Sequence, residues 1–388
     1  MCGIFATIWP ELSSEIKLKK VISKGLDRIR HRGPDGQSLW IDANAHIGFG
    51  HVRLAIVDLN NGTQPMSIED GTTIIFNGEI YNYIELRREL GERSFSTISD
   101  TEVILRAYKQ WGADCVKHFH GMFAFLIWDP CIKKIFFARD RFGIKPLYWY
   151  QNSIGTFYFA SEIKALTPFL DDKNIDSDAL SNYFCFQFYL DEKTLLKGVR
   201  QIPPANCGWV SQEQGLRSRL YWDVNYKLDF NHTDKYFIER LQTLTEDSVR
   251  FHMRADVEVG AYVSGGLDSS ILAILGNRHY SHRATPFKIF NGKFSEGKAF
   301  DESYYAELVA AEHGMDLHIA SITEQDFVDS IEKVVYHLDT PIAGPGAFPQ
   351  YMVSQLASRH LKVVLGGQGG DEIFGGYARY LIAYFEQC

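Results

Sequence analysis

From Cys2 to about Pro204 the chain repeats short apolar runs, "CGIFATIW", "HIGFGHVRLAIV", "TIIFNGE", "MFAFLIWD", "KIFFAR" and "TFYFAS", each bounded by Gly, Asn or Asp. Their period of two puts successive side chains on opposite faces of a strand, so this half must be built from antiparallel sheet. Helical spacing is interleaved, around Leu18–Arg30 and Thr101–Trp111. From about Tyr236 the rhythm changes. "VGAYVSGG" runs into "LDSSILAILGN", "PFKIFNG" into "DESYYAELVAAEHG", and "FPQYMVSQLASRH" into "LKVVLGG". Acidic Asp301 opens the second of these helices and Gly314 ends it, as capping prefers. Apolar strands crossed by helices require a parallel, doubly wound sheet. The chain therefore reads as an α+β domain over 1–210, a polar and irregular connection over 211–235, and an α/β domain over 236–388.

With 388 residues, 45% hydrophobic and 23% charged, there is apolar material for two cores. A net charge of −8 argues against a broad nucleic-acid surface. The sequence contains no run of eighteen apolar residues, so no membrane span is expected. The start, "MCGIFATIWPE", lacks the basic flank and apolar stretch of a signal peptide, which points to the cytoplasm. Cysteines stand at 2, 115, 131, 185, 207 and 388, with no Cys-x-x-Cys pair to suggest zinc or redox chemistry. The last five read as buried free thiols in a reducing compartment.

Cys2 is a separate case. If Met1 is removed, it carries both a thiol and an α-amine, whose ordinary pKa of roughly 7.7–8.0 suits general-base work. On its own, a cysteine here reads more simply as a small residue that permits Met removal and then lies in a strand. Its company reverses that. "RHRGPDG" (30–36), "HVRLAIVD" around Arg53, "FNGEIYN" (76–82) and "SDTEV" (99–103) follow in that order. Together they resemble the glutaminase domain of class II glutamine amidotransferases, closest to the asparagine synthetase B family. The likeness covers nearly all of the first two hundred residues. It implies an N-terminal-nucleophile fold with α/β/β/α layers, and Cys2 as the nucleophile. By the same resemblance the Asn77 side chain and the Gly78 N–H form the oxyanion hole. Arg53 grips the α-carboxylate of glutamine in a two-pronged pair. Asp100, helped by Gly78 and Glu79, takes the α-ammonium. "RHRGPDG" resembles a mobile loop that closes on glutamine, with Gly33 and Gly36 as its flexible points.

"SGGLDSS" (264–270) follows an apolar strand and opens a helix, where backbone N–H groups and the helix dipole favour a phosphate. It is not a Walker A loop, since the Gly-Lys-Ser/Thr ending is missing. The full string resembles the pyrophosphate loop of the ATP pyrophosphatases, which adenylate a carboxylate and hand it to ammonia. The resemblance implies ATP contacts from Val263, Ser264, Gly265, Gly266, Asp268, Ser269 and Gly292. It also implies contacts from Gly366 and Gly367 in "LGGQGGDEIFGGY" (365–377). Mg2+ would be held by Asp268 and Asp371.

Two departures matter. Gln368 stands where several asparagine synthetases carry glutamate, and an amide cannot act as a base. It can still position an acyl-adenylate by hydrogen bonds, yet it loosens aspartate as the acceptor. The final "ARYLIAYFEQC" reads as a helix with an apolar stripe and no stop signal, so a shortened synthetase domain is expected. The expected function is transfer of ammonia from glutamine to an ATP-activated carboxylate, aspartate first. Sugar acids or peptides as acceptors, and a glutaminase or regulatory module with incomplete synthetase, stand as alternatives. The partners expected are small molecules, with no nucleic acid or membrane, and the sequence leaves a homodimer open.

Overall fold

The computed structural model describes every residue except 11–13, 281–283, 295–296, 298–300, 342–343, 345 and 388. The chain divides into two compact units, Met1–Leu228 with His337–Ala343, and Asp229–Tyr336 with Gly344–Cys388.

The first unit begins with β1 (Gly3–Ile8), α1 (Glu15–Arg28), β2 (Gly36–Asp42), β3 (Ile47–Arg53), β4 (Met66–Ser67) and β5 (Thr73–Ile80). It continues through α2 (Tyr83–Leu90), α3 (Asp100–Trp111), β6 (Gly121–Asp129), β7 (Lys134–Arg139), β8 (Tyr148–Gln151) and β9 (Phe157–Ala160). It closes with α4 (Ser177–Phe186), β10 (Arg200–Gln201), β11 (Asn206–Ser211) and β12 (Gly215–Leu220). Among the described residues these strands form two six-stranded sheets, ordered β10-β8-β9-β1-β3-β2 and β12-β11-β7-β6-β5-β4.

Strand β1 shows why they stack. Ile4, Ala6 and Ile8 meet Ile75, Leu126 and Phe137 of the other sheet, while Phe5 packs on Ile22 and Leu26 of α1. In the second sheet Phe76, Phe123 and Phe125 face Val103 and Ile104 of α3. Both faces of each central strand are covered, so the runs are apolar throughout and the layering is α/β/β/α. Helix α3 starts at a Ser99 cap that accepts the Thr101 N–H at 3.2 Å, which fixes where Asp100 projects.

The second unit contains α5 (Asp234–His252), β13 (Val259–Tyr262), α6 (Leu267–Tyr280), β14 (Lys288–Phe294), α7 (Ser303–His313), β15 (Asp316–Ile322) and α8 (Glu324–Leu338), whose last two residues group with the first unit. It ends with α9 (Ala347–Ala357), β16 (Val363–Leu365), α10 (Gly370–Phe374) and α11 (Ala378–Gln387). Its four strands are all parallel in the order β15-β14-β13-β16. One face packs Ala261 and Ile289 on Ala273 and Ala306 of α6 and α7, the other packs Phe290 and Ile322 on Val353 and Ala357 of α9. This is the doubly wound arrangement, with α7 starting beside Asp301 and ending on left-handed Gly314.

Some expectations change. The stretch read as an irregular connection contributes β12, an edge strand whose Arg and Ser side chains face outward and so mask its pattern. Cys115 and Cys207 are buried, but Cys131 and Cys185 are exposed. Cys131 sits in the turn between β6 and β7, and Cys185 near the end of α4. Cys388 lies outside the described residues.

Candidate functional site

Strand β4 pairs with β5 only through Met66↔Ile74 and Ser67↔Thr73, so the outer edge of β5 is open from Phe76 onward. On that edge the N–H groups of Phe76 and Ile80 go to side chains, to Gln64 Oε1 at 2.7 Å and Asp100 Oδ2 at 3.0 Å. Alternate residues of a strand face the same edge, so the N–H of Gly78 between them faces it too. Its opposite number in β6, Phe123, turns its N–H to Asp140 Oδ2 and its carbonyl to the Asp140 N–H, away from β5. Only glycine fits at 78: its φ is +155°, and a Cβ would lie 2.1 Å from the Met122 carbonyl oxygen. Next to it the Asn77 side chain is fully buried, and neither its Nδ2 nor its Oδ1 has a partner among the described residues. A buried amide in that state costs about 1–3 kcal/mol per unmet group, unless a ligand meets it.

Cys2 precedes β1. Its thiol donates to the Leu54 carbonyl at 3.6 Å and accepts the Leu54 N–H at 3.4 Å. Burial pushes the thiol up, with the Glu79 and Asp100 carboxylates adding to the rise. Burial also pushes the Met1 amino group down to about 5; Cys2 opposes the fall, and Arg32 and Lys145 add to it. Arg32 holds the backbone here, its Nε donating to the Cys2 carbonyl at 2.9 Å and its Nη1 to Glu162 at 2.7 Å. Burial would raise Glu162, but hydrogen bonds from His31 and Lys164 and the charge of Arg32 hold it down to about 2. Lys164 also bridges Asp339 at 3.0 Å.

Arg53 ends β3 with its guanidinium donating to the carbonyls of Leu59 (3.0 Å), Asp58 (2.6 Å) and Val57 (3.4 Å). Carbonyl oxygens fix its direction without neutralising its charge. The same loop is tied to the start of α3, since Asp58 Oδ2 accepts the Ile98 N–H at 2.9 Å. Burial pushes Asp100 up to about 6, although N–H groups of Ile80, Thr101 and Asp100 itself oppose this. Cys2, Arg53, Glu79 and Asp100 therefore share one neighbourhood around the open edge. The loop 30–36 lies against the end of β3, through the Asp35 N–H to the Arg53 carbonyl at 2.9 Å. A Cβ on Gly33 would lie 2.2 Å from the Val52 carbonyl carbon, so this glycine serves close approach, while Gly36 has open space. Asp35 accepts the Ala55 N–H at 2.8 Å. Sequence reasoning passed over Arg32, although it lies inside "RHRGPDG", and Lys145, Glu162 and Asp339, which carry no local motif.

In the second unit β14 and β15 lie to one side of β13 and β16 to the other. This is the switch point of the sheet, and ligands bind outside the carboxyl ends of strands at such points. Both glycine-rich strings leave from it. Ser264 and Ser269 join hydroxyls at 3.0 Å, and Ser269 Oγ accepts the Ser264 N–H at 3.1 Å, so both shape the turn from within. Gly265 has φ +99°, and a Cβ there would press on the Glu302 carbonyl at 2.8 Å. Asp268 stands in the first turn of α6. The two loops meet here, because a Cβ on Gly370 would lie 2.1 Å from Asp268 Oδ2 and one on Gly367 3.1 Å from the Ser269 nitrogen. The Gln368 amide folds back over Gly366, and Asp371 lies against Gly376. Glu372, without a reading from sequence, accepts the Tyr377 hydroxyl at 2.9 Å. Val263 directly follows β13 and Gly292 lies in β14, where Asn291 Nδ2 donates to the Val263 carbonyl at 2.7 Å. Among the described residues no group of three or more His, Cys, Asp or Glu side chains is arranged to hold a metal, and no helix is long and apolar enough to cross a membrane.

Comparison with known proteins follows the same division. Residues 1–222 match the family described as glutamine amidotransferase domain, and residues 240–388 match asparagine synthase. The chain is 38% identical over 98% of its length to asparagine synthetase [glutamine-hydrolyzing] 1 of Bacillus subtilis, spanning 59% of that protein. It is 37% identical over 99% of its length to putative asparagine synthetase [glutamine-hydrolyzing] 2 of Methanocaldococcus jannaschii, spanning 77% of it. It is 32% identical over 97% of its length to asparagine synthetase B [glutamine-hydrolyzing] of Escherichia coli, spanning 65% of it. With two domains matched in order and these relatives aligned along nearly all of it, the chain belongs to the family of glutamine-hydrolysing asparagine synthetases.

Proposed function

We propose that the chain hydrolyses glutamine at Cys2 and delivers the ammonia to a carboxylate activated by ATP. Aspartate is the proposed acceptor, with asparagine, glutamate, AMP and pyrophosphate as products, formed in the cytoplasm. The observation that carries the reading is the Asn77 amide, fully buried with both ends unpartnered, beside a glycine N–H on an open strand edge. Such a pair gains most when a negative oxygen arrives.

Once Met1 is removed, the free amine belongs to Cys2. It takes the thiol proton as sulfur attacks the side-chain carbonyl carbon of glutamine. Asn77 Nδ2 and the Gly78 N–H hold the negative oxygen, the amine returns the proton to the leaving nitrogen, and ammonia departs. Water then cleaves the thioester with the same amine as base, releasing glutamate. Arg53 holds the α-carboxylate of glutamine, and Asp100 with Glu79 the α-ammonium.

In the second unit the phosphates of ATP lie on the turn of Ser264, Gly265, Gly266, Asp268 and Ser269, with Val263 and Gly292 walling the nucleoside. Gly366 and Gly367 let the second loop approach, and Gln368 orients the activated carboxylate by hydrogen bonds. Asp268 and Asp371 would hold Mg2+, a cation that needs few carboxylates where phosphate is present. That ion would supply neutralisation of phosphate charge.

Glutamate release from glutamine tests the first half. Wild type should turn over and Cys2→Ala should fall by at least about 10^4-fold; unchanged release overturns the nucleophile. Pyrophosphate release with a panel of carboxylates tests the acceptor. Signal with aspartate is expected, and silence with aspartate beside turnover of a sugar acid moves the reading to another acceptor.

A further inference from the structure

The proposed oxyanion donors sit on a strand whose own partner stops short. Continued past Met66, the register of Met66↔Ile74 and Ser67↔Thr73 sets Gln64 opposite Phe76. No backbone rung forms there. Instead the Gln64 side chain reaches across, its Oε1 accepting the Phe76 N–H at 2.7 Å. The Phe76 carbonyl, on the same edge, lies 3.2 Å from His51 Nε2, a ring from β3 of the facing sheet. A carbonyl only accepts, so Nε2 carries the proton, and the Nδ1 lone pair is left without a partner among the described residues. His51 is fully buried, and burial pushes it down to about 4, so it is neutral at working pH.

The other end of Gln64 extends the frame. Its Nε2 donates to Thr101 Oγ1 at 3.1 Å, the residue after Asp100, and Asp100 in turn accepts the Ile80 N–H at 3.0 Å. Phe76 and Ile80, two residues either side of Gly78, are thus bound to side chains joined to one another through the start of α3. Gln64 is 5% exposed, which shields these bonds from water. We propose that Gln64 and His51 are positioning residues that replace the missing rung at Phe76 and thereby fix the Asn77 amide and the Gly78 N–H for the oxyanion. Neither touches the reacting atoms. The inference rests on the proposed glutamine hydrolysis.

Steady-state glutamine hydrolysis by the full chain after Met1 removal tests it, with Cys2→Ala alongside. Gln64→Leu removes the acceptor at similar volume. Its kcat should fall roughly 10- to 100-fold with KM within about threefold, since displaced donors lose transition-state rather than substrate binding. Gln64→Glu keeps an acceptor for the Phe76 N–H and should hold kcat within about fivefold of wild type. Unchanged kcat in Gln64→Leu, or a loss carried by KM alone, overturns the proposal. Should Gln64→Leu show no cooperative melt, the pair His51→Gln and His51→Met decides. Gln keeps a donor and should stay within about fivefold, while Met should lose at least about tenfold in kcat, and equal values overturn the proposal. If Cys2→Ala turns over glutamine like wild type, the hydrolysis reading itself fails. If Cys2→Ala is dead and Gln64→Leu is normal, only the positioning role fails.

Discussion

Asn77 and Asp268 each sit where a strand's chemistry is delivered, yet in opposite settings. Asn77 is wholly buried in a strand covered on both faces, while Asp268 is half-buried in a helix's first turn beside a second loop of glycines. In the first unit the donors are side chains and one N–H held by β6, Gln64, His51 and Asp100 before any ligand arrives. In the second, the proposed binding surface is backbone at Gly265, Gly367 and Gly370, shaped by the close approach of two loops. A site of the first kind carries the cost of orientation in the folded chain, and so can act on a small amide with few contacts. A site of the second kind suits a long polyanion, whose many oxygens can gather N–H groups from two loops at once.

The sharpest way to break this contrast is Asn77→Ala. Glutamine kcat should fall about 10²–10³-fold while the melting temperature holds or rises, because an unmet buried amide has been removed. A large drop in melting temperature would make Asn77 a structural residue instead. Next comes Gly370→Ala, whose Cβ would collide with Asp268. Carboxylate-dependent pyrophosphate release should fall at least about tenfold with glutaminase kcat unchanged; a parallel fall in both would dissolve the separation of the two sites. A milder probe is pH. Asp100 is raised to about 6, so the carboxylate proposed to bind the ammonium is lost as pH falls below that point, and the KM for glutamine should climb up to about tenfold per pH unit. A flat KM from pH 7 to 5 would remove Asp100 from recognition. The smallest effect on turnover is expected from Glu162→Gln, which should instead lower stability by roughly 3 kcal/mol in denaturant melts. Because Glu162 is depressed to about 2, its contribution is present above the ordinary glutamate pKa and is lost as pH falls from about 4.5 toward 2. A stability difference that persists unchanged at pH 2 would contradict that assignment.

What was legible in sequence follows the same divide. Cys2, Arg53, Asn77 with Gly78, and Asp100 stand in short strings because the proposed chemistry demands those side chains, and the structure gathers their elements around one strand edge. The strand–turn–helix at Ser264 and the second glycine loop were legible because both must leave adjacent strand ends. Gln64 and His51 were not, since their role comes from where β4 stops, and a missing rung leaves no residue pattern. Asp339 escaped for a similar reason: it meets Ile163 and Lys164 across some 175 residues of chain. Gly33, expected as a flexible point, also lies where only glycine fits against Val52, and sequence does not separate a glycine needed for close packing from one needed for freedom. The strand β12 was hidden because an exposed edge carries polar residues that read as a loop.

The brevity of β4 has a consequence for how this protein can be improved. Four more residues of regular pairing, as far as residue 62, would give Gly78 a backbone acceptor and give the sheet a full edge. Such a variant should melt later and work worse, because the substrate would find its place already taken. Stabilising substitutions gathered elsewhere in the first unit should combine freely with activity. Those that lengthen this one strand should not, and a screen for thermostability alone would select them.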